Sequence, residues 1–276
     1  MKSVHYLYIL LILIGVSACE ETVTLDTTQI EPRVVIEGEV TDQYTYHYVK
    51  VSRSTGFYDD KSFVGAEGAS VTVVDSEGQT YNYIAATGEN STGLYFSEER
   101  YAGIIGRTYT LTVTYDNNTY TASDKIFPVT AIDSLTVEVN EEEMDDPDKP
   151  GYFYEILFYA KEPQESKDYY LFKFYRNDTL ILDSETDIYY ADDELLAEKI
   201  DGIPTAGFYK VGDQAKVEMY SISQEAFVYL NDLSILLTSD GGMFSPPPAN
   251  PRTNLSNNAL GFFRASAKVS DMIEVK

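Results

Sequence analysis

In the stretch Gly106-Arg107-Thr108-Tyr109-Thr110-Leu111-Thr112-Val113-Thr114-Tyr115-Asp116-Asn117-Asn118, large apolar or aromatic residues alternate with threonine, and the run ends in a turn signal. A period of two places Tyr109, Leu111 and Val113 on one face of a strand, and β-branched and aromatic residues suit a half-buried pleated surface. Tyr120 to Ile126 returns from the turn as the partner strand. Upstream, Val34, Ile36, Gly38 and Val40 alternate with Val35, Glu37 and Glu39. His47, Val49 and Val51 alternate with Tyr48, Lys50 and Ser52, and Ala69, Val71 and Val73 with Ser70, Thr72 and Val74. Asp75-Ser76-Glu77-Gly78 turns the chain into Tyr81 and Tyr83, and Gly93-Leu94-Tyr95-Phe96 opens another strand. Short strands separated by regular turn signals predict an immunoglobulin-like β-sandwich over residues 33–127.

Phe127-Pro128 closes that set, and residues 128–276 read as a second β-rich domain. Strands are expected at Ala131 to Asn140, Tyr152 to Ala160, Asp168 to Arg176, Lys216 to Ile222, Leu260 to Ala265 and Val269 to Val275. Asn177-Asp178 turns the third of these into Leu180 to Asp183. One segment breaks the pattern. Ala226, Tyr229, Leu233 and Leu236 recur at helical spacing with Phe227 and Leu230 alongside, predicting an amphipathic helix near 223–238 that packs on the second sheet. Ser221 and Gln224 are the expected capping box and Gly241-Gly242 the expected stop. The fold class is mostly β with one helix.

The N-terminus is of another kind. Lys2, an apolar run from Leu7 to Val16 and the small residues Ser17-Ala18 before Cys19 describe a secretory signal over residues 1–18. The run is about ten residues, short of the ~20 a spanning helix needs. Small residues directly before a cysteine resemble a bacterial lipobox, so Cys19 is the expected lipidation site and 19–32 a lipidated tether. Cys19 is the single cysteine of the chain, so lipidation leaves no thiol for a disulfide or for cysteine catalysis. An acyl anchor in outer-membrane lipid is the expected attachment. Glu20 and Glu21 directly after the cysteine resemble a surface-export signal of Bacteroidetes lipoproteins.

Charge and residue inventory narrow the chemistry. A formal net charge of −25 repels nucleic acid, which is excluded as a partner. His47 is the single histidine beyond the signal; it lies between tyrosines on a strand, and no Gly-x-Ser-x-Gly elbow accompanies it, so it reads as a packing residue. Zinc lacks its His and Cys ligands. Asp145, Asp146 and Asp148 in one loop, and Asp192, Asp193 and Glu194 in another, are calcium candidates by carboxylate density. Neither set has EF-hand spacing, so both read as solvated acidic turns and no metal or cofactor is assigned. Tyr152, Tyr154, Tyr169, Tyr170, Tyr189 and Tyr190 are candidate aromatic platforms, since neighbours on a strand face opposite ways. The same rings equally fill sandwich cores.

Taken together, the lipobox, Val34 to Val40, Gly65-Ala66 to Val73, Gly106 to Leu111, the helix with its Pro246-Pro247-Pro248 connector, Asn254-Leu255-Ser256 and Gly261-Phe262-Phe263-Arg264-Ala265-Ser266 resemble a Bacteroidetes lipoprotein family known as domain of unknown function 4249. The resemblance implies a mostly β outer-membrane lipoprotein, exposed at the cell surface and encoded beside a TonB-dependent receptor. It brings no catalytic residues. The expected function is therefore non-enzymatic, as accessory or cargo-binding partner of such a receptor. The alternative is a stand-alone glycan- or peptide-binding module. Contacts are expected on the second domain, at 187–204 and 241–256.

Overall fold

The computed structural model describes residues 31–55, 64–88, 91–144, 149–161, 167–184, 186–193, 199–239 and 249–276. The signal segment, Cys19, Glu20, Glu21 and the loop carrying Asp145, Asp146 and Asp148 lie outside them, as do Glu194 and Gly241-Gly242. From Pro32 onward the described chain belongs to one compact unit. It is mostly strand, with one full-length helix among the described residues.

The first sheet holds β1 (Val34–Thr41), β2 (Tyr48–Arg53), β3 (Val64–Gly65), β4 (Ser70–Asp75), β5 (Thr80–Ala85), β6 (Leu94–Ser97), β7 (Thr108–Tyr115) and β8 (Asn118–Lys125). The expected alternation holds: Ile36, Val40, Val49, Val51, Val71, Val73, Tyr109, Leu111 and Val113 are buried in one core. The β7–β8 turn puts Asp116 and Asn117 at φ 51° and 58°, the left-handed geometry a two-residue hairpin needs. A ninth strand comes from far away in sequence. β16 (Leu260–Ser266) pairs parallel with β1, from Val35↔Leu260 to Thr41↔Ser266. The sheet runs β16-β1-β2-β6-β5-β4-β7-β8. Its ends meet, because the Asp124 carboxylate on β8 accepts the Ala265 N–H at 2.9 Å and the Asn254 amide donates to both Ser123 and Phe263 carbonyls.

This corrects the sequence reading of the domain boundary. Leu260 to Ala265, assigned to the second domain, complete the first sheet, and Leu255, Ala259, Phe263, Ala265 and Ala267 are part of its core. The division at 127/128 is therefore crossed by the C-terminus. The cause is core closure: without β16 the inward faces of β1 and β8 border open solvent.

The second assembly is a sandwich. One sheet has the order β14-β10-β9, from β9 (Ile132–Val139), β10 (Tyr154–Lys161) and β14 (Lys199–Pro204). The other has β11 (Tyr169–Arg176), β12 (Thr179–Ile181), β13 (Tyr189–Asp192), β15 (Gln214–Ser221) and β17 (Lys268–Glu274), with β11 and β15 central. Ile156 and Phe158 of the first meet Tyr170, Phe172, Phe174, Val217 and Met219 of the second. β13 and β14 occupy much of 187–204, the stretch expected to carry contacts. Helix α1 (Gln224–Thr238) covers the other face of the β11-β15 sheet, where Ala226 and Leu230 join Leu171, Tyr220, Ile222 and Phe262. Its cap is Ser223, whose Oγ accepts the Ala226 N–H at 3.2 Å, and not Ser221. Ser221 Oγ instead donates to the Phe127 carbonyl at 2.6 Å and accepts from Ala267 N at 3.2 Å, tying β15 to the inter-assembly segment.

Candidate functional site

β1 places Glu37, Glu39 and Thr41 on the face opposite Ile36 and Val40, which point into the core; Glu37 is exposed there and Thr41 is buried. The chain then crosses to β2 through 42–47, and this crossing is pinned at every second residue. Thr45 exchanges backbone hydrogen bonds with Tyr101 at 3.3 and 3.1 Å. His47 is 2 % exposed; its N–H donates to Ser97 Oγ, Nδ1 accepts from Thr41 N at 3.3 Å and Nε2 donates to the Tyr101 carbonyl at 2.9 Å. Burial holds the imidazole below its ordinary pKa, which fits this neutral tautomer. His47 is thus a structural fixture, placed in the crossing just before β2 and not on a strand. It anchors the alternate residues, and those point outward: Tyr44, Tyr46 and Tyr48 are 73, 48 and 39 % exposed. The Arg100 guanidinium lies 5.1 Å from the Tyr46 ring centre and braces it.

Behind this tyrosine row opens a cleft of about 360 Å³, lined in part by Glu39, Thr41, Tyr46, Tyr48, Tyr220 and Lys268. Strand register builds its floor. Glu39 faces Arg264 across the parallel β1–β16 pair and accepts a hydrogen bond from its guanidinium. Burial alone pushes the Glu39 carboxyl up, but Arg264, Lys173 and Lys268 together more than offset this and hold it below its ordinary value. The Arg264 guanidinium, Lys173 Nζ and Lys268 Nζ lie 5.3, 4.9 and 5.7 Å from the ring of Tyr220. Tyr220 donates its hydroxyl to Glu218 Oε2 at 2.7 Å and Tyr175 donates to the same oxygen at 3.1 Å. Lys268 and Lys216 reach Glu218 Oε1 at 3.1 and 3.4 Å. Four cations therefore gather around two carboxylates, with Asp42 at the edge holding the Lys268 N–H at 2.9 Å. In a chain of net charge −25 this is a local inversion.

The aromatic platforms expected from sequence lie elsewhere and are covered. Tyr170 is 1 % exposed in the sandwich core, and Tyr189 packs on Phe174 with its hydroxyl on Asp183. Tyr169 and Tyr190 both pack on Phe227 of α1, and Tyr190 donates to Asn231. Tyr154 packs beside Phe153 and is bridged to Tyr209. Tyr152 lies between Arg176 and Lys210, each about 5 Å from its ring. The β11-β15 sheet is covered on both sides, so alternation gives two buried faces and no free platform. Asp192 closes β13 and Asp193 follows it directly, its N–H donating to the Asp168 carbonyl. The exposed tyrosines among the described residues, Tyr44, Tyr46 and Tyr48, carry a signal in the sequence: three aromatics at alternate positions among polar residues.

A family model described as "Domain of unknown function (DUF4249)" matches residues 20–271. None of the curated proteins compared with the chain matches it.

Proposed function

Because the chain belongs to the DUF4249 family, and the family description assigns no activity, we propose from its own residues that it is a non-enzymatic, lipid-anchored binding protein of the outer-membrane surface. In this reading Cys19 carries the acyl anchor, and the protein is accessory or cargo-binding partner to a TonB-dependent receptor. The observation that carries it is the Tyr44-Tyr46-Tyr48 row, held outward by a pinned backbone beside a polar cleft. Exposed tyrosines on a rigid scaffold offer large contact area at little entropic cost, which is what a recognition surface requires. The cleft offers no nucleophile–base pair: His47 is committed to two backbone partners and Glu39 to Arg264. The same tyrosine row also supports a stand-alone glycan- or peptide-binding module.

Detergent-solubilised protein purified from its own membranes tests the first reading. A co-purifying β-barrel, lost when Tyr46 and Tyr48 are both replaced by Ala, is the expected result. A ligand retained without any barrel moves the assignment to the stand-alone module. Cys19→Ser should release the protein from the membrane fraction, and its continued sedimentation with membranes would end the lipoprotein reading.

A further inference from the structure

The end of the sandwich away from the first sheet carries a second cleft, of about 410 Å³, lined in part by Lys149, Tyr152, Arg176, Ile181, Leu182 and Phe208. β15 sets its distance from the tyrosine row. Tyr220, near one end of that strand, lines the cleft behind the row, and Ala215, near the other, pairs with Arg176; the five residues between them span about 17 Å. Arg176 is fixed on two sides and free on a third. Its Nη1 donates to the Phe208 carbonyl at 2.6 Å, and the guanidinium carbon lies 4.8 Å from the centre of the Tyr152 ring. Nε and Nη2 have no partner among the described residues. Neither is sealed in, because the buried side-chain polar atoms without partners there are on Arg53, Asp193, Arg264 and Ser266. A guanidinium whose plane is already set and whose Nε–Nη2 fork is open matches a planar acceptor with two oxygens.

The chain itself does not supply that acceptor. Lys149 and Lys210 make no ion pair among the described residues, and Lys210 Nζ lies 5.0 Å from the Tyr152 ring centre. The nearby carboxylates are spent on neutral donors instead. Asp183, on the cleft wall, accepts the Gly207 N–H at 2.7 Å and the Tyr189 hydroxyl at 2.9 Å. Asp213, buried, accepts the Asn177 amide at 2.8 Å and the Lys210 backbone N–H at 3.1 Å. In a chain with 45 acidic and 20 basic residues, three cations thus stand together without a carboxylate of their own. Ile181, Leu182 and Phe208 add an apolar wall beside the open fork. We propose that this cleft binds a carboxylate borne beside an apolar group, as at the free C-terminus of a peptide that ends in a large apolar residue. The carboxylate sits on Nε and Nη2 of Arg176 with Lys149 beside it, and the apolar group lies against Ile181, Leu182 and Phe208. The volume suits one such residue with its flanking backbone, or a compact free acid. This site is separate from the tyrosine row and goes beyond the reading given for it.

The test is calorimetric titration of the full chain from Pro32 onward with N-acetyl-Ala-Ala-Phe, its C-terminal amide, 3-phenylpropionate, phenyl phosphate and acetate. The free-acid peptide should bind about tenfold or more tighter than the amide, with an affinity that falls as salt is added, and acetate should bind more weakly than the peptide. Arg176→Lys keeps the charge but loses the fork and should weaken the peptide about tenfold. Lys149→Gln should weaken it and lessen the salt dependence, while Tyr46→Ala leaves it unchanged; thermal melts establish that each variant is folded. Equal affinity for acid and amide, equal affinity for acetate and peptide, tighter binding of phenyl phosphate than of 3-phenylpropionate, or no binding of any probe overturns the proposal. So does binding that folded Arg176→Lys and Lys149→Gln leave intact, or that Tyr46→Ala abolishes. 3-Phenylpropionate bound as tightly as the peptide makes the ligand a free acid, and weaker binding makes it a peptide end; either result upholds the site.

Discussion

Gly261 shows how much of the fold hangs on single positions. It adopts φ +93°, and a Cβ there would sit 2.2 Å from the Ile36 carbonyl oxygen on the neighbouring strand. Gly261→Ala must therefore distort the β1–β16 pair as well as strain the backbone. The expected loss is about 3 kcal/mol or more in a urea melt, against about 1 kcal/mol for Gly78→Ala, whose Cβ meets nothing within 4 Å. Asp124 is the second such position. Burial raises its pKa to about 6, opposed by N–H donors from Ala265 and Lys125. A folded pKa above the ordinary 3.8 means that the contribution is complete below about pH 3.8 and is lost as pH rises through about 6. Compared across pH 4 to 7, Asp124→Asn should lack this component of the stability profile; parallel wild-type and variant profiles would contradict it.

At the level of elements, the strands with one solvent face were legible, because a two-residue period reports burial on one side. The β7–β8 pair and β1 followed from Tyr109, Leu111, Val113 and from Ile36, Val40. β13 escaped notice, since a strand covered on both faces, such as Tyr189-Tyr190-Ala191, has no such alternation. The helix was legible from its spacing but its capping residue was not. Two serines precede it, and only the structure distinguishes Ser223, on the Ala226 amide, from Ser221, on Phe127 and Ala267. Ser223→Ala should lower stability by about 1 kcal/mol with loss of helical ellipticity. The site divides in the same way. The tyrosine row at 44, 46 and 48 was readable as a pattern, whereas the Glu39–Arg264 contact joins residues 225 apart and leaves no local trace.

Across the whole molecule, the sequence order of the strands and their spatial order disagree where β16 joins β1. Parallel pairing over such a separation has no turn to announce it, so the division at 127/128 looked complete in the sequence. A fragment of residues 32–127 lacks Leu255, Phe263 and Ala265 from its core and the Ala265 amide from Asp124. It should melt without cooperativity by circular dichroism, and sharp two-state unfolding of that fragment would show that β16 is dispensable. The same pairing has a temporal side. A chain emerging N-terminus first presents β1 with one bare edge until nearly its whole length has followed, and bare edges invite pairing with strangers. Completion of the first sheet is thus a late event, and a molecule clipped or stalled before Leu260 is exposed to misassembly at its beginning and not at its end.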